Sequence, residues 1–209
     1  MDRRAAIGFL LKSLGVTATI PTLVTTLSGC VESPVAANEK LTFLSSEQYS
    51  LVQGIVDIIL PKTDIVGATE LDIALFIDSM LTHTVDTELK SVFKQGAQQC
   101  SAELFRQTKR SPLQAEFVHY QQLIAEFFDI DDTLQQDIFI QQSKVVSELN
   151  DGQRQQYNLY KFLLTTRQLC LLGFYTSEYV GEHILSYAPI PGEYDACVDL
   201  DQIGNAWSA

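Results

Sequence analysis

From Ser45 onward, apolar residues recur at intervals of three and four, the period of helices with one buried face. Ser45-Ser46-Glu47-Gln48 has the form of a capping box, and Tyr49, Val52, Ile55, Val56, Ile59 and Leu60 then share one helix face until Pro61. Residues 62–69, with Asp64 and Gly67, read as a loop. A second helix is expected from Leu71 through Leu81, with Glu70 and Asp72 in its first turn. A long third helix runs from Leu89 through Cys100 to Phe105. Ser111-Pro112 breaks the chain and places Pro112 at the first position of the next helix. That helix carries an aromatic-rich apolar face of Phe117, Tyr120, Leu123, Ile124, Phe127 and Phe128. Asp129-Ile130-Asp131-Asp132 marks a turn or helix start, and Leu134, Ile138, Ile140 and Val145 extend helix to about Leu149. After a turn at Asn150-Asp151-Gly152, an apolar helix spans Gln153 to about Tyr175. No alternating run of useful strand length occurs. The pattern predicts an all-α fold: a single compact helical domain followed by an extended, irregular tail.

The first thirty residues carry a different pattern. A charged start, Met1-Asp2-Arg3-Arg4, precedes Ala5–Leu11, Lys12 and a mildly apolar stretch from Ser13 to Leu27. This is the layout of an export signal. Five threonines, two glycines and Pro21 interrupt the stretch after Lys12, whereas a membrane span needs about 20 strongly apolar residues. Arg3-Arg4 resembles a twin-arginine signal, read by a translocon that passes folded proteins. It departs from that motif at Ala6 and Gly8, where a Phe and a Lys are usual. Leu27-Ser28-Gly29-Cys30 resembles a lipobox, whose cysteine takes a diacylglyceryl group; the alternative is an ordinary signal followed by an unrelated cysteine. The division expected is an export signal over 1–29, a lipid-anchored tether over 30–44 and a helical domain over 45–209.

Composition adds limits more than identities. The chain of 209 residues has a formal charge of −12; removing residues 1–29, whose only charged groups are Asp2, Arg3, Arg4 and Lys12, makes it −14. Such a balance argues against nucleic acid as partner, since phosphate binding needs clustered Lys and Arg. Cys100, Cys170 and Cys197 lack CxxC spacing and neighbouring histidines, which leaves no metal-site pattern. Two of them could pair, one could bond a partner chain, or they could be buried thiols, the last suiting Cys170 within its apolar run. His83, His119 and His183 are far apart in sequence. No glycine-rich phosphate loop follows a strand, so the sequence carries no Rossmann or P-loop signal. The acidic cluster at 129–132 lacks the glycine and distal glutamate of a calcium loop.

The most specific stretch lies late: Gly173-Phe174-Tyr175-Thr176-Ser177-Glu178, then Tyr187, then Pro189-Ile190-Pro191-Gly192-Glu193-Tyr194. Together with Leu60-Pro61 and Phe76-Ile77-Asp78-Ser79-Met80-Leu81, these elements resemble the gluconate 2-dehydrogenase small subunit (gamma, or subunit 3) family. The resemblance runs from about residue 45 to the end. It implies a non-catalytic accessory subunit without cofactor, whose partner is a large FAD-dependent dehydrogenase of the glucose-methanol-choline class oxidising a sugar or polyol. It also implies that a cytochrome c subunit often carries the electrons onward. A flavoprotein that acquires FAD in the cytoplasm must cross the membrane folded, and a small subunit bearing the signal can take it across. The expected location is the periplasmic side of a bacterial membrane, held by the lipid on Cys30.

Two rivals remain: a free-standing structural lipoprotein, and an enzyme with a site assembled from Asp57, Asp78, His83 or His183. For partner binding the candidates are Phe174, Tyr175, Tyr187, Pro189, Pro191, Gly192, Tyr194 and Trp207. Phe174, Tyr175 and Tyr194 could equally be core aromatics. The proline-punctuated segment 187–192 forms core poorly, so the tail is the part expected to lie over another surface.

Overall fold

The computed structural model describes residues 41–186 together with Cys197, Asp199, Asp201 and Ala206. The described residues form helices and no β-strand: α1 (Ser46–Ile59), α2 (Ile73–His83), α3 (Thr87–Thr108), α4 (Phe117–Phe128), α5 (Asp132–Gln142), a 3-10 turn (Val146–Glu148), α6 (Asp151–Thr176) and α7 (Glu178–His183). The all-α expectation is met. No helix among them is long and apolar enough to cross a membrane.

α6 is the spine. It packs along α3 and also touches α1, α2, α5 and α7. At the α3–α6 crossing Phe93 and Phe162 meet edge to face, with ring centroids 4.8 Å apart. Both rings are fully buried, each stabilising the fold by about 2–3 kcal/mol. The crossing is close because α3 offers Gly96: a Cβ there would lie 2.2 Å from the Asn158 carbonyl oxygen.

Local chemistry sets the helix ends. Ser45 and Gln48 form the expected capping box, Gln48 N–H donating to Ser45 Oγ (3.2 Å) and Ser45 N–H to Gln48 Oε1 (3.1 Å). Asp86 and Asp131 cap α3 and α5 by accepting from Leu89 N–H (2.7 Å) and Leu134 N–H (3.0 Å). Four expectations need correction. α2 starts at Ile73, because Asp72 is left-handed (φ 50°); Glu70 lies before the helix, paired with Lys62 (2.6 Å) and accepting from Gly67 N–H (3.0 Å). Pro112 does not open α4. Ser111 carbonyl accepts from Gln114 and Ala115 N–H (2.9 and 3.0 Å), closing a separate turn, and α4 begins at Phe117 after extended Glu116. α5 stops at Gln142, short of Leu149. Asn150 is the N-cap of α6, accepting from Gln153 N–H (2.9 Å), so Asp151 and Gly152 are its first turn and not a free turn.

Residues 42–44, which the sequence reading placed in the tether, pack into the domain. The Asp78 carboxylate, 5% exposed on α2, accepts three backbone N–H bonds: from Thr42 (2.9 Å), Phe43 (3.0 Å) and Leu44 (2.7 Å). Leu44 is buried, and Phe43 lies against Phe93 and under Lys94.

Candidate functional site

The Gly173–Glu178 stretch forms the joint between α6 and α7. Gly173 permits it, since a Cβ there would meet Phe76 Cδ1 at 2.7 Å and Ile73 Cδ1 at 3.0 Å. The end of α6 therefore lies directly on α2. Ser177 stops the helix: its N–H and hydroxyl donate to the Phe174 carbonyl (3.2 and 2.8 Å). The same Ser177 Oγ caps α7 by accepting from Val180 N–H (3.4 Å), and buried Val180 pins the short helix. Glu178 sits in the first turn of α7, the favourable end for a carboxylate.

This joint sorts the aromatic residues. Phe174 is 7% exposed and belongs to the core, whereas Tyr175 is 58% exposed and meets Phe174 edge to face at 5.3 Å. Leu172, one face with Tyr175, and Tyr179 are also exposed. Tyr179 stacks on His183 at 4.7 Å, and its carbonyl lies 3.2 Å from His183 Nδ1. The joint thus leaves Leu172 and Tyr175 exposed at the end of α6 and Tyr179 exposed on α7, two of them phenols at the surface. Exposed tyrosines on a fixed frame are typical anchors of protein–protein interfaces. Beyond it, Ser186 N–H donates to the Ala206 carbonyl (2.8 Å), so residue 206 lies back against the end of α7. The candidates Arg3, Arg4, Cys30, Tyr187, Pro189, Pro191, Gly192, Tyr194 and Trp207 lie outside the described residues.

The residues of the rival enzymatic reading have separate duties. Asp78 holds residues 42–44. Asp57, half-buried on α1, accepts from the Thr69 hydroxyl (2.6 Å) and weakly from Gln53 Nε2 (3.4 Å). His83 is exposed in the last turn of α2, and His183 stacks on Tyr179. No hydrogen bond or ion pair joins any two of these four among the described residues. His119 is a capping residue, its Nδ1 accepting from Glu116 N–H (2.9 Å). Among the described residues there is no group of three His, Cys, Asp or Glu side chains placed to hold a metal ion. Cys100 and Cys170 are buried thiols. Burial raises both, with Glu103 adding at Cys100 and Asp57 at Cys170, which is pushed up to about 12. Cys197 is exposed.

The role of Asp78 escaped sequence reasoning. Its signal was a carboxylate at a buried helix position: Asp78 lies one residue from Ile77 and three from Leu81, both fully buried. A charge there needs donors, and the backbone amides of residues 42–44 supply them.

The family model described as gluconate 2-dehydrogenase subunit 3 matches residues 46–192. The match opens on the first residue of α1 and takes in every helix described. No curated protein and no solved structure was found to match the chain.

Proposed function

The chain belongs to the gluconate 2-dehydrogenase subunit 3 family, and from that premise we propose that it is the small, non-catalytic subunit of a membrane-associated, FAD-dependent sugar or polyol dehydrogenase. The family match over 46–192 carries this reading. The Leu172–Tyr175–Tyr179 surface supports it, since it offers anchors for another protein. In this proposal the large subunit, of the glucose-methanol-choline class, holds FAD and performs the oxidation. A cytochrome c subunit takes the electrons. The small subunit binds the flavoprotein once FAD is in place, and Arg3-Arg4 direct the folded pair to the twin-arginine route. Cys30 then carries the lipid that holds the complex on the periplasmic side of the membrane. Firm anchoring needs more than one acyl chain, which a diacylglyceryl group plus an amide-linked chain would supply.

The test is purification from host membranes through a tag on this chain. A flavin-containing dehydrogenase subunit should co-purify in stoichiometric amount, and the tagged chain freed of it should have no dehydrogenase activity. Replacing Arg3 and Arg4 with Lys should strand both proteins in the cytoplasm, and Cys30→Ser should release the pair from the membrane fraction. Isolation of the chain without any flavoprotein would refute the accessory reading. Export of the large subunit in the Arg3/Arg4 variant would refute the carrier role alone.

A further inference from the structure

α5 is built against the usual rule. Of its 11 residues it buries two, Ile138 and the polar Gln141, whose Nε2 donates to the Gln153 carbonyl (2.9 Å). It leaves Phe139 and Ile140 exposed at 58% and 57%. Phe139 lies beside Phe128 and Ile130 around a shallow cleft floored by Tyr160 and Leu164 of α6. A helix that hides an amide and shows a phenyl ring leaves its apolar surface for something outside the chain.

The cleft also continues toward the joint. On α6, Leu164, Gln168, Leu171 and Tyr175 stand four, three and four residues apart and so share one face. All four are at least partly exposed. They connect the cleft to Tyr175 over about 16 Å of helix. One face of α6 thus links the cleft to Tyr175 as a seam, apolar except at Gln168.

Charge selects the occupant. Between Phe128 and Ser143 the chain carries Asp129, Asp131, Asp132 and Asp137 and no Lys or Arg, and none of these acids is in a described ion pair; the cations Lys161 and Arg167 flank the α6 end, so the acidic rim belongs to the cleft. Asp137 points to the other side of α5 from Phe139, but a second copy would still bring Asp129, Asp131 and Asp132 against their own copies beside Ile130, and like-charge juxtaposition opposes that pairing. An anionic lipid surface is disfavoured for the same reason. A protein face with apolar side chains at its centre and Lys or Arg around them fits.

We infer that the Phe128–Phe139 cleft and the α6 seam form one docking surface for an apolar, basic-rimmed face of the flavoprotein subunit. The inference rests on the accessory-subunit reading and adds to it the surface and the chemistry of the partner's face. Its test compares tagged full-length chains isolated from host membranes: wild type, Phe139→Asp, and Leu113→Asp as a control at an exposed apolar position remote in sequence from the seam. Circular dichroism should match for all three. Phe139→Asp should retain at least tenfold less flavin-containing subunit, and Leu113→Asp should retain as much as wild type. Equal retention by wild type and Phe139→Asp overturns the docking surface and leaves the accessory role standing. Wild type isolated without flavoprotein overturns both. Light scattering that shows a homodimer split by Phe139→Asp assigns the face to a second copy and overturns the inference. So does a Cys30→Ser chain that binds phosphatidylglycerol vesicles only while Phe139 is intact.

Discussion

Replacing Asp78 with Ala should detach the start of the domain. The change removes the acceptor for three backbone N–H groups, of which the Leu44 bond (2.7 Å) is buried and the other two partly so. Leaving one buried donor unsatisfied costs about 1–3 kcal/mol, and the two part-buried donors lose about 1 kcal/mol each as water replaces part of the bond. Alanine returns about 0.6 kcal/mol through better helix propensity. The net loss is about 3 kcal/mol, which for a domain of this size lowers Tm by about 6–12 °C. Urea unfolding followed by circular dichroism gives the free energy. Hydrogen exchange gives the mechanism: amides 42–44 should be protected in the wild type and lose protection in Asp78→Ala, while α1 amides change far less. Asp78→Asn keeps one oxygen for Phe43 and Leu44 and loses only the Thr42 bond, so it should fall between the two. If Asp78→Ala costs under 1 kcal/mol, or if Asp78→Asn is as damaging as Ala, the three-bond anchor is the wrong account.

Further expectations concern packing, thiol access and pH. Gly96→Ala should destabilise by about 2 kcal/mol, because overpacking against the Asn158 carbonyl outweighs a helix-propensity gain of about 1 kcal/mol. Gly152→Ala, whose Cβ would meet nothing nearer than Asn150 Oδ1 at 3.6 Å, should be neutral or stabilising in the same urea assay. Native protein at pH 8 should shield Cys100 and Cys170 from a thiol reagent until it unfolds, since both are buried with raised thiol values. Because the folded values of Cys170 and Tyr120 are raised to about 12, the unfolded chain ionises first. Their stabilising share is therefore full below about pH 9 and falls as pH climbs toward 12; a stability that rises over that window would contradict the burial of these groups.

Helix period and capping chemistry were legible because both are local. The Ser45–Gln48 box and the aspartate at 131 could be read directly, since a side chain three residues from its partner leaves its mark in sequence. The errors arose where tertiary contacts overrode local signals. Pro112 suits a first helical position, yet Tyr120 hydroxyl reaches its carbonyl (2.9 Å) and the Ser111 turn separates it from α4. Phe117 and Phe128 follow the apolar period of α4 but are exposed, because α4 packs on α1 and α3 through Tyr120 and Leu123. α7 was missed since six residues are too few for a period. Of the candidate site, the aromatic joint was visible as a motif. The α5 cleft was not, because only burial distinguishes Phe139, outside, from Ile138, inside.

Magnitudes decide how such a surface could hold a partner. Burying Phe128 and Phe139, each already about half covered, returns about 1 kcal/mol apiece, or about 2 kcal/mol for the cleft. A micromolar complex needs about 8 kcal/mol net, after association and side-chain ordering have taken several more. The cleft alone therefore falls short, and so does the Leu172–Tyr175–Tyr179 surface by the same count. Joined along α6 they sum to about 5 kcal/mol, still short of the requirement, so a complex of that affinity needs contacts beyond this surface. Screening settles the part played by charge: at physiological salt the Debye length is about 8 Å. In the docking we infer, the aspartates at 129–132 then act on groups at the rim and little beyond it, so charge selects the partner's face and does not hold it.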